Sequence, residues 1–214
     1  MLNRELENRR NEYLKGELHE EDMPAIPLIL FSAWLEEAIR ENIPEPTAMA
    51  LSTSTPEGLP SSRMVLLKEF SAEGFVFYSH FASRKGLEME NNPYAALLFF
   101  WPALERQVRI EGTVRKVSPE TSDAYFHSRP EESQIGAWAS PQSQPIVNRE
   151  ELVERVEKTK AQFRHAPLTR PPFWGGYMVI PHSIEFWQGR ANRLHDRLKY
   201  LREGEQWKIV RLAP

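Results

Sequence analysis

Basic side chains in this chain of 214 residues are grouped in a way that suits the binding of anions. Arg63 and Lys68 flank the apolar stretch 64–67, and Arg84 and Lys85 occupy the first turn of a predicted helix. Cations at a helix N-terminus are unfavourable by up to about 1 kcal/mol unless an anion binds the free N–H groups there. These residues indicate a phosphate site, and solvated surface cations are the alternative interpretation.

A second polar group consists of Tyr125, Arg129 and Ser133, which follow one another at intervals of four. On a continuous helix they would share one face. Pro130 disfavours helical geometry at Arg129, so we expect the helix to break and the three side chains to line a turn. Two hydroxyls and a guanidinium suit a phosphate monoester, although an exposed helix face with a local Tyr–Arg contact would also explain them.

A third group lies near the carboxy terminus, where Arg193, His195 and Arg197 alternate. In a strand these side chains would point to one face and repel one another unless an anion or a partner lies among them. The alternative is structural, with Asp196 and Glu185 pairing part of this charge. Trp187 is a candidate to flank a planar ligand, whereas the other indoles considered are expected in the core or in helix packing: Trp34, Trp138 and Trp174.

Several classes of site lack support in the sequence. Because there is no cysteine, disulfides, thiolate nucleophiles and iron–sulfur clusters are excluded. The six histidines do not fall at metal-ligand spacing, and the common dinucleotide, P-loop, serine-hydrolase and zinc-protease motifs are missing. The net charge of -3 favours neither nucleic acid nor an anionic membrane as a partner. The polar amino terminus and the short apolar run at 95–104 predict a cytoplasmic protein.

The elements that must position these residues follow from punctuation and periodicity. Residues 1–22 are polar and are predicted to form a mobile arm, and residues 23–214 are predicted to form a single domain. Helices are expected at 28–38, 83–91, after Pro119 and at 148–163. Short strands are expected at 63–68, 74–79, 95–101, 108–117, 177–180, 183–187, 194–201 and 207–212. This order predicts a mainly-β (α+β) fold, an antiparallel barrel with helices around it.

Seven sequence stretches together resemble one family. They are RMVLLK, YSHFASRK, LERQV, YFHSRPEESQIGAW, FWGGY, IEFWQGRANRLHDR and the terminal WKIVRLAP. In order and spacing they are similar to the pyridoxamine 5'-phosphate oxidase family, over essentially the whole chain from about Arg10.

The resemblance implies a six-stranded antiparallel split barrel that forms a homodimer with FMN in clefts between the subunits. It implies that FMN is bound by Arg63, Met64, Val65, Leu66, Leu67, Lys68, Tyr78, Ser79, Arg84, Lys85, Gln107, Gln142, Ser143, Trp187 and Arg197. It implies substrate contacts from Arg10, Asn11, Glu12, Tyr13, Lys68, Tyr125, Arg129, Ser133, Arg193, Leu194 and His195, with Arg193 and His195 in the catalytic positions. Residues 10–13 resemble the part of the family that closes over substrate.

The reaction implied is oxidation of pyridoxamine or pyridoxine 5'-phosphate to pyridoxal 5'-phosphate, the last step of vitamin B6 cofactor synthesis and salvage. A hydride passes from C4' to flavin N5, O2 reoxidises the flavin to give H2O2, and the amine substrate releases NH3. Because the protein's own side chains cannot accept two electrons, the residues alone also require a borrowed redox centre. Arg193 stays protonated near neutral pH, so its expected role is to hold the substrate and not to act as a base.

Three alternatives remain open. Another FMN split-barrel protein, a flavin reductase or an oxidase of different range, would keep Arg63, Lys68, Arg84 and Lys85 without needing the second and third groups. A pyridoxal phosphate carrier would bind the product without oxidising anything. A nucleic-acid-binding barrel is disfavoured by the net charge and by the grouping of basic residues in pockets.

Overall fold

The computed structural model describes residues 12–214, and this part of the chain contains five α-helices, nine strands and three short 3₁₀ turns. The helices are α1 (Pro27–Arg40), α2 (Arg84–Asn91), α3 (Pro119–Ser128), α4 (Glu131–Ala139) and α5 (Arg149–Phe163). The strands are β1 (Ala48–Ser54), β2 (Pro60–Leu66), β3 (Glu69–Ser71), β4 (Gly74–His80), β5 (Tyr94–Trp101), β6 (Arg106–Lys116), β7 (Trp174–Gln188), β8 (Asp196–Glu203) and β9 (Gln206–Arg211). The 3₁₀ turns are Glu20–Asp22, Pro102–Leu104 and Ala191–Arg193.

The strands form one sheet in the order β2-β1-β5-β6-β7-β4-β3, and β8 pairs with β7 and with β9. The pairs β1–β2, β3–β4, β4–β7, β7–β8 and β8–β9 are antiparallel. The predicted mainly-β class with antiparallel pairing and flanking helices is confirmed. The sheet has nine strands where six were expected, because β3 and the hairpin β8–β9 extend the six-strand path from β2 to β4.

Strand β7 is continuous where two strands were predicted. Its residues 174–179 pair with β4, and its residues 183–188 pair with β8. Pro181 lies between the two pairings, where its missing N–H removes no hydrogen bond from either ladder. The proline that divides the sequence pattern therefore marks a change of partner and not the end of a strand.

The chain divides into two compact units. The first contains the described residues up to Thr47, Leu98–Ile110 and His182–Pro214. The second contains Ala48–Leu97 and Glu111–Pro181. The predicted boundary between an arm (1–22) and a domain (23–214) does not coincide with this division and stays a prediction.

Aromatic packing against α1 forms the core of the first unit. Phe31 and Trp34 lie on the buried face of this helix, as its three- and four-residue periodicity predicts. The Phe31 ring contacts Phe99 at 5.2 Å between centroids, and the Trp34 ring contacts Phe186 at 5.2 Å. Burial of each such ring contributes about 1.5–3 kcal/mol, which anchors the strand end that carries Trp187.

The second unit is organised around the strands that flank α2. Met49 and Leu51 of β1 and Phe75 and Phe77 of β4 are fully buried. The α2 helix begins after Ser83, whose side chain accepts a hydrogen bond from the Gly86 N–H. The structure thus presents Arg84 and Lys85 in the first turn, as predicted.

No helix among residues 12–214 is both long and apolar enough to cross a membrane.

Candidate functional site

A cavity of about 490 Å³ lies within the second unit, a volume usual for small-molecule sites, which span about 300–1,000 Å³. The predicted site residues in its lining are Met64, Val65, Leu66, Lys68, Tyr78, Ser79, Lys85, Tyr125, Arg129, Ser133 and Gln142. Pro130 and Trp174 complete the lining, and sequence reasoning did not assign either to the site. The fold therefore brings Lys68 and Lys85 of the first polar group to the same cavity as the second group, whereas Arg63 and Arg84 are not part of its lining.

Lys85 is a buried cation that donates to uncharged partners. The residue is only 8% exposed. Its Nζ donates to Ser79 Oγ at 3.1 Å, Ser83 Oγ at 3.2 Å and Gln142 Oε1 at 2.9 Å. Within the described part of the chain no carboxylate accepts from it. Burial, together with the charge of Arg63, lowers the pKa of Lys85 to about 8. A bound anion would restore the balance of charge here.

Arg63 and Arg84 both form ion pairs with one buried carboxylate, that of Glu88. Arg63 Nη2 lies 3.2 Å from Glu88 Oε2, and Arg84 Nε lies 2.8 Å from Glu88 Oε1. Arg63 faces the hydroxyls of β1 and β2, and donates to Thr53 and Ser61. Sequence reasoning missed Glu88, and the only local signal for it was its position four residues after Arg84.

The second cationic centre of the cavity is formed where α3 ends and α4 begins. Arg129 has an extended backbone between the two helices, and Pro130 precedes the first residue of α4, so the predicted helix break is confirmed. The Arg129 guanidinium lies over the Trp174 ring at 4.6 Å from the centroid. Its Nη1 is buried and has no hydrogen-bond partner among the described residues. Burial lowers the pKa of Arg129, an effect that Tyr125 opposes, and the guanidinium stays charged near neutral pH.

A stack of aromatic rings forms one wall of the same cavity. The rings of Tyr78 and Tyr125 stack at 3.8 Å, and Tyr78 stacks on Trp174 at 5.5 Å. Gly176 makes this possible, because a Cβ there would come within 2.9 Å of the Tyr78 ring. Burial, with smaller contributions from Glu69 and Tyr125, raises the pKa of Tyr78 to about 12, so its hydroxyl keeps its proton. Trp174 was predicted to be a core residue, and it is buried while it also lines the cavity.

In the first unit, three rings form a separate cluster. The Trp187 ring lies 4.7 Å from His195 and 5.6 Å from Tyr13, and the Tyr13 and His195 rings are 5.6 Å apart. Gly189 provides the space, because a Cβ at this position would lie 2.6 Å from the Tyr13 ring. The arm residues beyond Tyr13 are held by Glu105, whose carboxylate accepts the N–H groups of Leu14 and Lys15.

The imidazole of His195 has a defined orientation. Its Nδ1 accepts a hydrogen bond from the Arg190 N–H at 3.1 Å, so the proton of the neutral ring lies on Nε2. Burial and the nearby charge of Arg193 lower the pKa of His195, which favours the neutral form. The group can therefore donate a hydrogen bond from Nε2 at neutral pH.

The expected strand alternation of Arg193, His195 and Arg197 is wrong. Strand β8 begins at Asp196, and Arg193 ends the short turn 191–193 with a φ of +63°, a left-handed conformation incompatible with a strand. Arg197 lies in β8, and its Nε donates to the buried Glu185 at 2.8 Å. The structural alternative considered for this charge thus applies to Arg197.

The remaining predicted residues are distributed as follows. Leu67 is buried and follows β2, and Gln107 is half-buried on β6 in the first unit. Ser143 has a φ of +70° and lines a second cavity of about 430 Å³ together with Arg84. Glu12 and Leu194 are exposed. Arg10 and Asn11 lie outside the described residues.

Fold and site together define a split-barrel protein with a cation-lined cavity. Residues 35–163 match the family described as pyridoxamine 5'-phosphate oxidase, and residues 174–214 match the pyridoxine 5'-phosphate oxidase C-terminal dimerisation region. Relatives named pyridoxine/pyridoxamine 5'-phosphate oxidase include one from Rubrobacter xylanophilus, 54% identical over 99% of this chain and 97% of its own length. A second, from a Nostoc species, is 49% identical over the full length of both chains. The chain belongs to the pyridoxamine 5'-phosphate oxidase family.

Two solved structures are similar to this one. PhzG from Burkholderia lata 383, solved in complex with tetrahydrophenazine-1-carboxylic acid, has a TM-score of 0.86 and 34% identity, covering 92% of this chain and 98% of that one. A pyridoxamine 5'-phosphate oxidase-related, FMN-binding protein from Nostoc punctiforme has a TM-score of 0.69 and 17% identity, covering 90% and 100%, and shows the shared fold. The predicted split-barrel fold is confirmed.

Proposed function

We propose that this protein oxidises pyridoxamine 5'-phosphate and pyridoxine 5'-phosphate to pyridoxal 5'-phosphate, with FMN as cofactor and O2 as the final acceptor, giving H2O2 and, from the amine, NH3. The observation that carries the proposal is that one cavity contains two cationic centres, Lys85 and Arg129, neither of which has an acidic partner within the described part of the chain. Two ligands that each carry a phosphate and a planar ring fit this arrangement.

The residues around Lys85 fit the phosphate of FMN. The buried ammonium of Lys85, next to the guanidinium groups of Arg63 and Arg84, favours a dianion, and Ser79 and Gln142 add polar contacts. We assign the cofactor phosphate to Arg63, Arg84 and Lys85, and the flavin ring to the apolar residues of β2. When bound, FMN supplies the acceptor for the hydride that leaves C4' of the substrate, and O2 restores the oxidised flavin.

The residues around Arg129 fit the phosphate of the substrate. Arg129 lines the cavity and its buried Nη1 has no partner among the described residues, and Tyr125, Ser133 and Lys68 are further donors in the lining. Hydrogen bonds to a charged partner contribute about 1.5–3 kcal/mol each. The stacked wall of Tyr78, Tyr125 and Trp174 excludes water on one side and limits how the substrate can be oriented.

Arg193 and His195 are proposed to act on the substrate ring. His195 donates from Nε2 because its Nδ1 is occupied by the Arg190 N–H. Arg193 remains a cation and restrains the substrate in a reactive orientation. Tyr13, which contacts the His195 ring, is proposed to belong to a segment that closes over the substrate.

We propose that the working form is a homodimer with FMN at the subunit interface. The residues that match the family's dimerisation region include Trp187, Arg193, His195 and Arg197. Large apolar side chains are exposed in the single chain on β2, where Met64 is 64% exposed, and next to His195, where Leu194 is 69% exposed. A second copy that covers these side chains would remove apolar surface from water and supply the first-unit residues to the cavity.

An absorbance scan of the purified protein, followed by a peroxide assay with pyridoxine 5'-phosphate, tests the proposal. We expect flavin absorption and peroxide release with the phosphorylated substrate but not with pyridoxine at equal concentration. A colourless protein that binds pyridoxal 5'-phosphate without consuming O2 would instead indicate a carrier. Flavin absorption without peroxide release would indicate a flavoprotein of different substrate range, such as one that acts on a ligand without phosphate, as in the PhzG complex.

A further inference from the structure

We infer that Glu88 is a positioning residue that holds the Arg63 guanidinium in place and orients the Arg84 guanidinium toward the cofactor phosphate. The inference rests on the proposed function, because it concerns how that phosphate site is built. Glu88 itself would not touch the phosphate, since it carries negative charge and its oxygens are already occupied.

The carboxylate of Glu88 is the centre of a buried hydrogen-bond network. Its side chain is only 6% exposed, and its Oε2 accepts from Ser61 at 2.6 Å, from Arg63 at 3.2 Å and from the hydroxyl of Thr53. Its Oε1 accepts from Arg84 Nε at 2.8 Å. Burial alone would raise the pKa of Glu88, but the hydrogen bonds from Ser61, Thr53, Arg84 and Arg63 outweigh it and lower this pKa to about 2. The group therefore remains ionised at any pH of interest.

The hydrogen bond from Arg84 to Glu88 leaves the terminal nitrogens of Arg84 available as donors to a phosphate. Arg84 uses Nε for Glu88, and its two terminal nitrogens have no partner among the described residues, on a side chain that is 63% exposed. Arg63 is held more firmly, since Nη1 donates to Leu51 O and Thr53 while Nη2 donates to Ser61 and Glu88. The Arg63 guanidinium is thus held at both terminal nitrogens. The Arg84 guanidinium is held only at Nε, so its two terminal nitrogens can donate to a phosphate.

The charge of the cluster also matches its ligand. Arg63, Arg84 and Lys85 carry three positive charges and Glu88 one negative charge, which leaves the cluster with a net charge of +2. A phosphate monoester above its second pKa, near 6, carries a charge close to −2. Without Glu88, three adjacent cations would repel one another in the free protein and adopt other orientations.

The test compares Glu88→Gln with Glu90→Gln for binding of FMN and of riboflavin, which lacks the phosphate. Glu90 is a matched control, because it lies on the same helix, is exposed, and accepts from Lys116 at 2.7 Å outside the cavity. By analogy with the outer partners of metal ligands, we expect Glu88→Gln to weaken FMN binding on the order of 10- to 100-fold. Riboflavin binding should stay within about twofold of wild type, and Glu90→Gln should change neither affinity.

A double-mutant cycle separates positioning from general damage to the fold. Arg84→Ala should weaken FMN binding in the wild-type background but much less when Glu88 is already Gln, because Arg84 is then no longer oriented. Equal losses in both backgrounds would overturn the inference, as would an equal loss of riboflavin and FMN affinity in Glu88→Gln. If Glu88→Gln fails to fold, Glu88→Asp replaces it, since it keeps the charge but shortens the reach to Arg84.

Binding measurements on the wild-type protein distinguish a failure of the proposed function from a failure of the role assigned to Glu88. If wild type binds riboflavin as tightly as FMN, the phosphate site of the proposed function is wrong. If wild type prefers FMN and Glu88→Gln keeps that preference unchanged, the proposed site stands and the role of Glu88 is wrong.

Discussion

Replacement of Arg129 by Met should weaken substrate binding without destabilising the fold. Most substitutions of a half-buried arginine remove an ion pair, but Arg129 has no ion pair within residues 12–214, and its Nη1 is buried without an acceptor. Its main attractive contact is with the Trp174 ring, 4.6 Å away. Met has similar length and keeps contact with that ring through its own side chain.

The magnitudes can be set against one another. A buried donor left without a partner costs about 1–3 kcal/mol, and more when it is charged. A cation–π contact contributes about 0.5–2 kcal/mol. The difference lies between about −1 and +2.5 kcal/mol, so Arg129→Met should lower the free energy of unfolding by no more than about 1 kcal/mol and at most raise it by about 2.5 kcal/mol. In the presence of substrate, a lost charged hydrogen bond of about 1.5–3 kcal/mol corresponds to a rise in KM of roughly 10- to 150-fold.

Two measurements check the prediction. Urea denaturation of the protein without ligands gives the change in unfolding free energy, and peroxide release at saturating FMN gives KM for pyridoxine 5'-phosphate. Tyr177→Phe, outside the cavity lining, controls for a buried polar group that has no partner among the described residues. An unfolding free energy lowered by more than about 2 kcal/mol would show that Arg129 is structural, and an unchanged KM would show that it does not bind the phosphate.

Three further outcomes follow from the geometry. The pKa of Lys85 is lowered to about 8, so Lys85 loses its positive charge as the pH rises from about 8 toward 10.5. FMN affinity, measured by fluorescence titration, should fall over this range by up to about tenfold per pH unit. The affinity of Lys85→Met should not change with pH in this range. Tyr177→Phe should leave the unfolding free energy unchanged or raise it by about 1 kcal/mol, because the deleted hydroxyl is buried without a partner, and a urea midpoint shifted downward would contradict this. Gly189→Ala should displace the Tyr13 ring and raise KM for the phosphorylated substrate severalfold, whereas an unchanged KM would show that Tyr13 takes no part in closure.

Local signals predicted the elements that begin and end at strong punctuation. Ser83 and Asn148, where two of the helices were expected to start, each cap a helix by accepting a hydrogen bond from the backbone N–H three residues later. Pro130 breaks the helix as expected. In these cases the decisive interaction lies within one turn of the residue, so one window of sequence contains the whole cause.

The errors occurred where the cause lies elsewhere in the chain. Arg193 and Asn192 adopt left-handed backbone conformations, which residues other than glycine do not announce in a sequence, so the expected strand was placed too early. Glu88 was missed because Thr53 and Ser61, which bond it, belong to two strands that precede it in the chain. Trp174 was assigned to the core alone, since burial in the core and lining of a cavity require the same type of residue.

The interruption between α3 and α4 has a consequence for altering this protein's ligand range. On one continuous helix, Tyr125, Arg129 and Ser133 would lie in a line along one side. Side chains in a line cannot surround a tetrahedral ion. One helix ends at Ser128 and the next begins at Glu131, and all three side chains line one cavity. The length of the joint between the two helices therefore affects how far apart these side chains lie. To make the site accept a larger or flatter anion, residues would be inserted or deleted at this joint, and the three donor side chains would be left unchanged.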